Sequence, residues 1–204
     1  MIAVVFDFDG TMVDTYDTVI DAYNQLAPFF RISRIENRNI LREYSFSEFI
    51  KEYRIASYKV FPLILTLRFL INQSKKGGSF TVLPDVKEIL FKLREKGYSL
   101  GIVSTNSFSF IRTVLEREGI YQIFSFVKTS PFLSRKWRIL KTLKERFDQV
   151  YYVGDEGRDV VAAKKAGVVS VAVTWGFNTE ENLLRYNPNF IVRKPADILS
   201  IINL

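Results

Sequence analysis

The chain has 204 residues, 48% apolar and 25% charged, which suffices to bury a sizeable core and excludes a disordered chain. It contains neither cysteine nor histidine, which removes thiolate nucleophiles, Ser-His-Asp triads, phosphohistidine intermediates and the usual zinc, copper and iron–sulfur sites. Chemistry is left to carboxylates, hydroxyls, lysine and arginine, and any metal is expected to be hard and oxygen-ligated, magnesium first. The net charge is +7, but its cations are interleaved with acids along the chain. Neither nucleic acid nor a membrane is therefore an expected partner. The first residues lack the basic and long apolar stretches of a signal peptide, so a soluble cytoplasmic chain, monomer or homodimer, is expected.

The chain opens with an apolar, β-branched run at 2–6 that ends at acids and Gly10, the pattern of a buried strand leading into a functional loop. Residues 15–80 then show helical apolar spacing and many aromatics. They close on Ser74-Lys75-Lys76-Gly77-Gly78-Ser79, the signature of a flexible exit from a helical insert. Beyond it, helical patterns run from Pro84 to Gly97, over 111–118 up to Gly119, over 137–147, and over 159–166 up to Gly167. Glycine just past the last periodic residue is the expected stop. Apolar runs at 100–103, 150–153 and 168–173 read as further strands, and a short strand at 190–192 with a closing helix completes the chain. Strands alternating with helices predict an α/β protein with a doubly wound, Rossmann-like parallel sheet. Its core spans 1–14 and 81–204, and 15–80 form an inserted α-helical cap.

Ligands of such sheets bind outside the carboxyl ends of the strands. The polar residues there are Asp7, Asp9 and Thr11; Ser104, Thr105 and Asn106; and Asp155, Glu156 and Asp159. Acids gathered at one sheet end repel one another unless a cation lies between them. Asp159 stands where it would also cap the following helix, and both roles stay open. Lys136 begins a helical pattern, where a cation opposes the helix dipole unless an anion is close by. Arg135 and Arg138 flank it, and Lys128 lies upstream.

Asp7-Phe8-Asp9-Gly10-Thr11 resembles the DxDGT signature of the haloacid dehalogenase superfamily in its phosphatase branch. Ser104, at the end of a strand, resembles the second motif, and Gly154-Asp155-Glu156-Gly157-Arg158-Asp159 resembles the GDxxxD motif. Lys136 is the best candidate for the third-motif lysine, although Arg135 and Trp137 replace the usual flanking glycine and proline. The insert resembles the helical cap of phosphoglycolate-phosphatase-like members.

The resemblance implies a magnesium-dependent phosphatase acting on a small phosphorylated metabolite. Asp7 would be the nucleophile that becomes a phosphoaspartate, and Asp9 the general acid and base. Magnesium would sit on Asp7, Asp9, Asp155 and, directly or at one remove, Asp159. Gly10, Thr11, Ser104, Thr105, Asn106 and Lys136 would hold phosphate, and the adjacent hydroxyls of Ser104 and Thr105 are not distinguished. A phosphomutase of the same family, or a non-catalytic binding module on the same fold, is the alternative. In the cap, Arg31, Arg34, Arg38, Arg42, Lys51 and Arg54 are candidates to meet a substrate carboxylate. The cap aromatics are expected to be mainly packing, and Trp175-Gly176-Phe177 to shape a loop near the site.

Overall fold

A computed structural model of the chain describes residues 1–74, 80–130 and 135–202. Strands β1 (Ile2–Phe6), β2 (Ser99–Ser104), β3 (Phe124–Thr129), β4 (Gln149–Gly154), β5 (Val169–Val173) and β6 (Phe190–Val192) form one sheet in the order β3-β2-β1-β4-β5-β6. Every neighbouring pair is parallel. The chain builds β1, β2 and β3 in one direction and then returns to add β4 on the other side of β1. The crevice at the carboxyl ends of β1 and β4 is thus the topological switch point, where such folds place their ligands.

Both faces of β1 are covered, because its side chains alternate between two buried layers. Val4 and Phe6 pack with α5 (Pro84–Glu95), α6 (Phe108–Arg117) and α10 (Asp197–Ile202), while Ala3 and Val5 pack with α7 (Lys136–Lys144) and α8 (Gly157–Ala166). A parallel strand buried on both sides needs a continuous apolar run, which is why 2–6 is legible in the sequence.

β3 was not foreseen. It lies at the sheet edge, and its residues Phe124-Ser125-Phe126-Val127-Lys128-Thr129 are half exposed, so no apolar run marks it. Its signal was indirect: Gly101 of β2 pairs with Phe126, and a Cβ at Gly101 would collide with that ring.

The cap comprises α1 (Tyr16–Phe30), α2 (Ile40–Glu43), α3 (Phe46–Glu52) and α4 (Ser57–Ser74). Its own core gathers Tyr16, Ile20, Tyr23, Leu26, Phe49 and Leu63, separate from the two clusters on the sheet. Ser45 and Glu48 cap the start of α3 reciprocally, each side chain accepting the other's backbone N–H. The stems of the insert meet where Val13 bridges Val82 and Leu83 N donates to Met12 O at 2.9 Å. The glycine-rich exit expected at 75–79 lies outside the described residues.

Past β5, the segment before and within α9 (Glu180–Leu184) fastens the cap to the core. Thr179 N donates to Arg42 O at 3.0 Å, Asn182 Nδ2 to Glu43 O at 2.9 Å, and the Phe177 ring lies 5.3 Å from that of Tyr16. Among the described residues, no helix is long and apolar enough to cross a membrane.

Candidate active site

Asp7 is the first residue beyond β1, and Asp7 N still donates to Val153 O of β4 at 2.8 Å, so the sheet itself holds this backbone. Its carboxylate is buried and asymmetric. Oδ2 lies 2.7 Å from Lys136 Nζ, whereas Oδ1 is buried with no hydrogen-bond partner among the described residues. An orphaned buried oxygen costs free energy unless a ligand meets it. Burial pushes the Asp7 carboxyl up to about 6 despite the opposing Lys136 charge, and the neighbouring Asp159 pushes in the same upward direction.

Lys136 is the first residue of α7 and is 1% exposed. It spans two carboxylates, since Nζ also lies 2.7 Å from Asp159 Oδ1. Burial alone would lower this amine, but Asp159 and Asp7 outweigh it and hold it raised and charged. The anions that a cation at this helix start requires are therefore present, and Lys136 rather than a flanking arginine occupies the position.

Asp159 carries more than one donor. Oδ1 takes Lys136 and, at 3.3 Å, the Tyr152 hydroxyl; Oδ2 accepts Glu156 N at 3.2 Å and so caps α8. Tyr152 OH also donates to Val103 O at 3.0 Å, and burial beside Asp159 and Asp7 raises its phenol. Sequence reading missed Tyr152 because it sits within an apolar strand; the hydroxyl on an otherwise buried run was the available clue.

Asp155 is fully buried at the end of β4. Its Oδ1 accepts Thr11 Oγ1 at 2.7 Å and its Oδ2 accepts Phe177 N at 2.8 Å. Thr11, expected against phosphate, donates its hydroxyl to Asp155, and Gly10 packs closely on the same carboxylate. With φ at +76° and Asp155 pressed against it, Gly10 has no room for a Cβ. The Trp175-Gly176-Phe177 segment acquires a role as well: Trp175 Nε1 donates to Thr11 O at 3.1 Å, and Phe177 supplies the amide on Asp155. Burial, then the negative charges of Glu156, Asp159 and Asp7, push the Asp155 carboxyl well above its usual range.

Asp9 lines the cavity wall and is held by Asn106, whose Nδ2 lies 2.8 Å from Oδ2 and 3.1 Å from Oδ1. Ser104 is buried, and its Oγ accepts Asn106 N at 3.1 Å; Thr105 and Asn106, rather than Ser104, face the cavity. That cavity, of about 1020 Å³, separates cap from core and has Asp7 and Asp9 on its floor. None of Arg31, Arg34, Arg38, Arg42, Lys51 or Arg54 lines it. Arg38 pairs with Asp17 and Asp21, and Arg42 lies 4.6 Å over the Tyr16 ring. The cation that the cap does contribute is Arg68, missed because it stands inside an apolar stretch of α4.

Carboxylate oxygens of Asp7, Asp155 and Asp159 lie within 4.8 Å of one another. Three buried acids, with an oxygen of Asp7 left over, suit a hard divalent cation. Both oxygens of Asp155 and of Asp159 already accept hydrogen bonds, so Asp7 Oδ1 is the oxygen best disposed to face it.

A parallel sheet with a carboxylate-and-lysine centre at its switch point, beneath a helical cap, defines a class of capped α/β hydrolases. The model of the haloacid dehalogenase-like hydrolases matches residues 4–173, and the chain belongs to that family. It is 34% identical to a phosphoglycolate phosphatase of Synechococcus elongatus, over 99% of this chain and 97% of that protein. A pyrophosphatase, PpaX of Bacillus mycoides, is 25% identical over 98% and 96% of the two chains. Among solved structures, a haloacid dehalogenase-like family protein of Streptococcus pneumoniae superposes with a TM-score of 0.79 at 22% identity, covering 98% of this chain and 97% of the other.

Proposed function

We propose that the protein is a magnesium-dependent phosphatase that hydrolyses a small phosphorylated metabolite through a phosphoaspartate on Asp7. The observation that carries this reading is the Asp7 carboxylate, gripped by Lys136 through one oxygen and unpartnered at the other, on the floor of a cavity shared with Asp9. The similarity to a phosphoglycolate phosphatase supports a phosphomonoester as substrate. Residues 15–80 would act as the cap closing over it.

In this mechanism an Asp7 oxygen attacks phosphorus and the bond to the leaving oxygen breaks. Asp9, oriented by Asn106, gives its proton to that oxygen. Asp9 then takes a proton from water as the water attacks the phosphoaspartate, releasing phosphate and restoring Asp7. Lys136 and Thr105, with the backbone amides around Asn106, would hold the oxygens that do not transfer. A magnesium ion held by Asp7, Asp155 and the Asp9 backbone carbonyl would offset the charge between nucleophile and phosphate. Asp159 would keep Lys136 charged and in place.

Phosphate release from an aryl phosphate, with and without magnesium, tests the proposal for the wild type and Asp7→Asn. Magnesium-dependent release that falls by about 10⁴-fold or more in the variant is expected. A phosphoaspartate that accumulates and persists in water would instead indicate a phosphomutase, and equal release from both proteins would remove Asp7 from the chemistry. Magnesium should also raise the melting temperature of the wild type but not of Asp155→Asn.

A further inference from the structure

The cap side of the cavity has a composition unlike that of the floor. Helix α4 turns Val60, Leu63, Ile64, Leu67 and Ile71 toward it, and α1 and α3 add Val19, Tyr23 and Phe49. Among the described residues, Arg68 is the only charged side chain that the cap contributes. A core arginine, Arg158, lines the same cavity from the first turn of α8 and is ion-paired with Glu156. Burial, and then the charge of Arg158, hold the Arg68 guanidinium below its usual range, with Asp9 opposing them. Two like charges, one from the cap and one from the core, on the wall of a cavity that Asp9 also lines, are suited to an anion on the leaving group.

Size adds a second constraint. A cavity of about 1020 Å³ lies at the upper end of those that hold drug-sized ligands, and a two-carbon leaving group would leave the α4 wall uncovered. Covering apolar wall with apolar substrate is favourable in proportion to the area removed from water.

We infer that the substrate is a phosphate monoester whose leaving group carries a carboxylate close to the scissile oxygen, held between Arg68 and Arg158, and an apolar body several carbons long, packed on Leu67 and Ile64 of α4. The inference rests on the phosphatase reading above and narrows its substrate class: glycolate supplies the carboxylate but not the body.

Three alkyl phosphates separate the elements: phosphoglycolate, with the carboxylate alone; 2-phenylethyl phosphate, with the apolar body alone; and the 2-phosphate of 3-phenyllactate, with both. The last should have a kcat/KM about 10-fold or more above either of the others. Arg68→Met should reduce the ratio of phenyllactate phosphate to phenylethyl phosphate by about 10- to 100-fold, the worth of a hydrogen-bonded charge. Ile64→Thr, which removes the terminal methyl and puts a hydroxyl on the wall, should reduce the ratio of phenyllactate phosphate to phosphoglycolate. Phosphoglycolate turning over as well as the larger ester, or ratios unmoved by Arg68→Met, would overturn the inference. If no ester is hydrolysed, the phosphatase reading fails by itself. The rise in melting temperature with each ester then decides: a larger rise with phenyllactate phosphate that Arg68→Met abolishes supports the inference, and equal rises overturn it.

Discussion

The floor and the roof of the cavity are built on opposite principles. On the floor, the sheet places the carboxylates at the ends of β1 and β4, and specific donors meet their oxygens, Asp7 Oδ1 excepted: Lys136 on Asp7 and Asp159, Thr11 and Phe177 on Asp155, Asn106 on Asp9. The roof has almost no such bonds. Among the described residues its wall is mainly aliphatic and aromatic side chains, with Ser45, Ser47 and a single arginine, Arg68, between them. Charge positioned for chemistry needs directional partners and a rigid frame, because a misplaced buried charge is costly. A surface that only has to cover the leaving group can rely on non-directional burial, which leaves it freer to change with substrate.

Substitutions should separate the two regions by what they damage. The largest effect is expected on the floor: Asp9→Asn should lower kcat/KM by about 10²- to 10⁴-fold, the usual worth of a general acid, while the magnesium-induced rise in melting temperature survives. Loss of that rise would mean that the Asp9 side chain serves the metal rather than the proton. In the roof, Leu63→Ala removes a side chain that is 4% exposed in the cap core and should lower unfolding free energy by about 2–5 kcal/mol in urea titrations. A loss under about 1 kcal/mol would show a cap looser than its packing implies.

Gly10→Ala returns to the floor. A Cβ at a positive φ, pressed on Asp155, should cost about 1–3 kcal/mol and weaken the magnesium response, both read from melting curves. Smallest is Tyr152→Phe, which removes the hydroxyl from Asp159 and Val103 O and should cost about 0.5–1.5 kcal/mol. Its kcat should fall more than its KM rises if the hydroxyl helps to orient the Asp159–Lys136 pair. Equal stability loss with unchanged kcat would reduce Tyr152 to packing.

The sequence by itself determined the sheet strands buried on both faces, the helices between them and the acids at the strand ends. These features are local: an apolar run, a helical period and a stop glycine are each written within a dozen residues. It also determined that Lys136 needs an anion, because a helix start and a cation conflict within one turn. What it did not contain were relations between distant segments. The edge strand β3 lacks an apolar run because half of its surface faces solvent, so only pairing with β2 defines it. The hydroxyl of Thr11 and the amide of Phe177 both reach Asp155, across separations of 144 and 22 residues. Arg68 was hidden among apolar neighbours, and the cap arginines that looked available point elsewhere. Which face of an almost uniformly apolar helix meets the cavity is decided by how α4 packs on α1 and over the core, a choice that tertiary burial makes and local spacing does not.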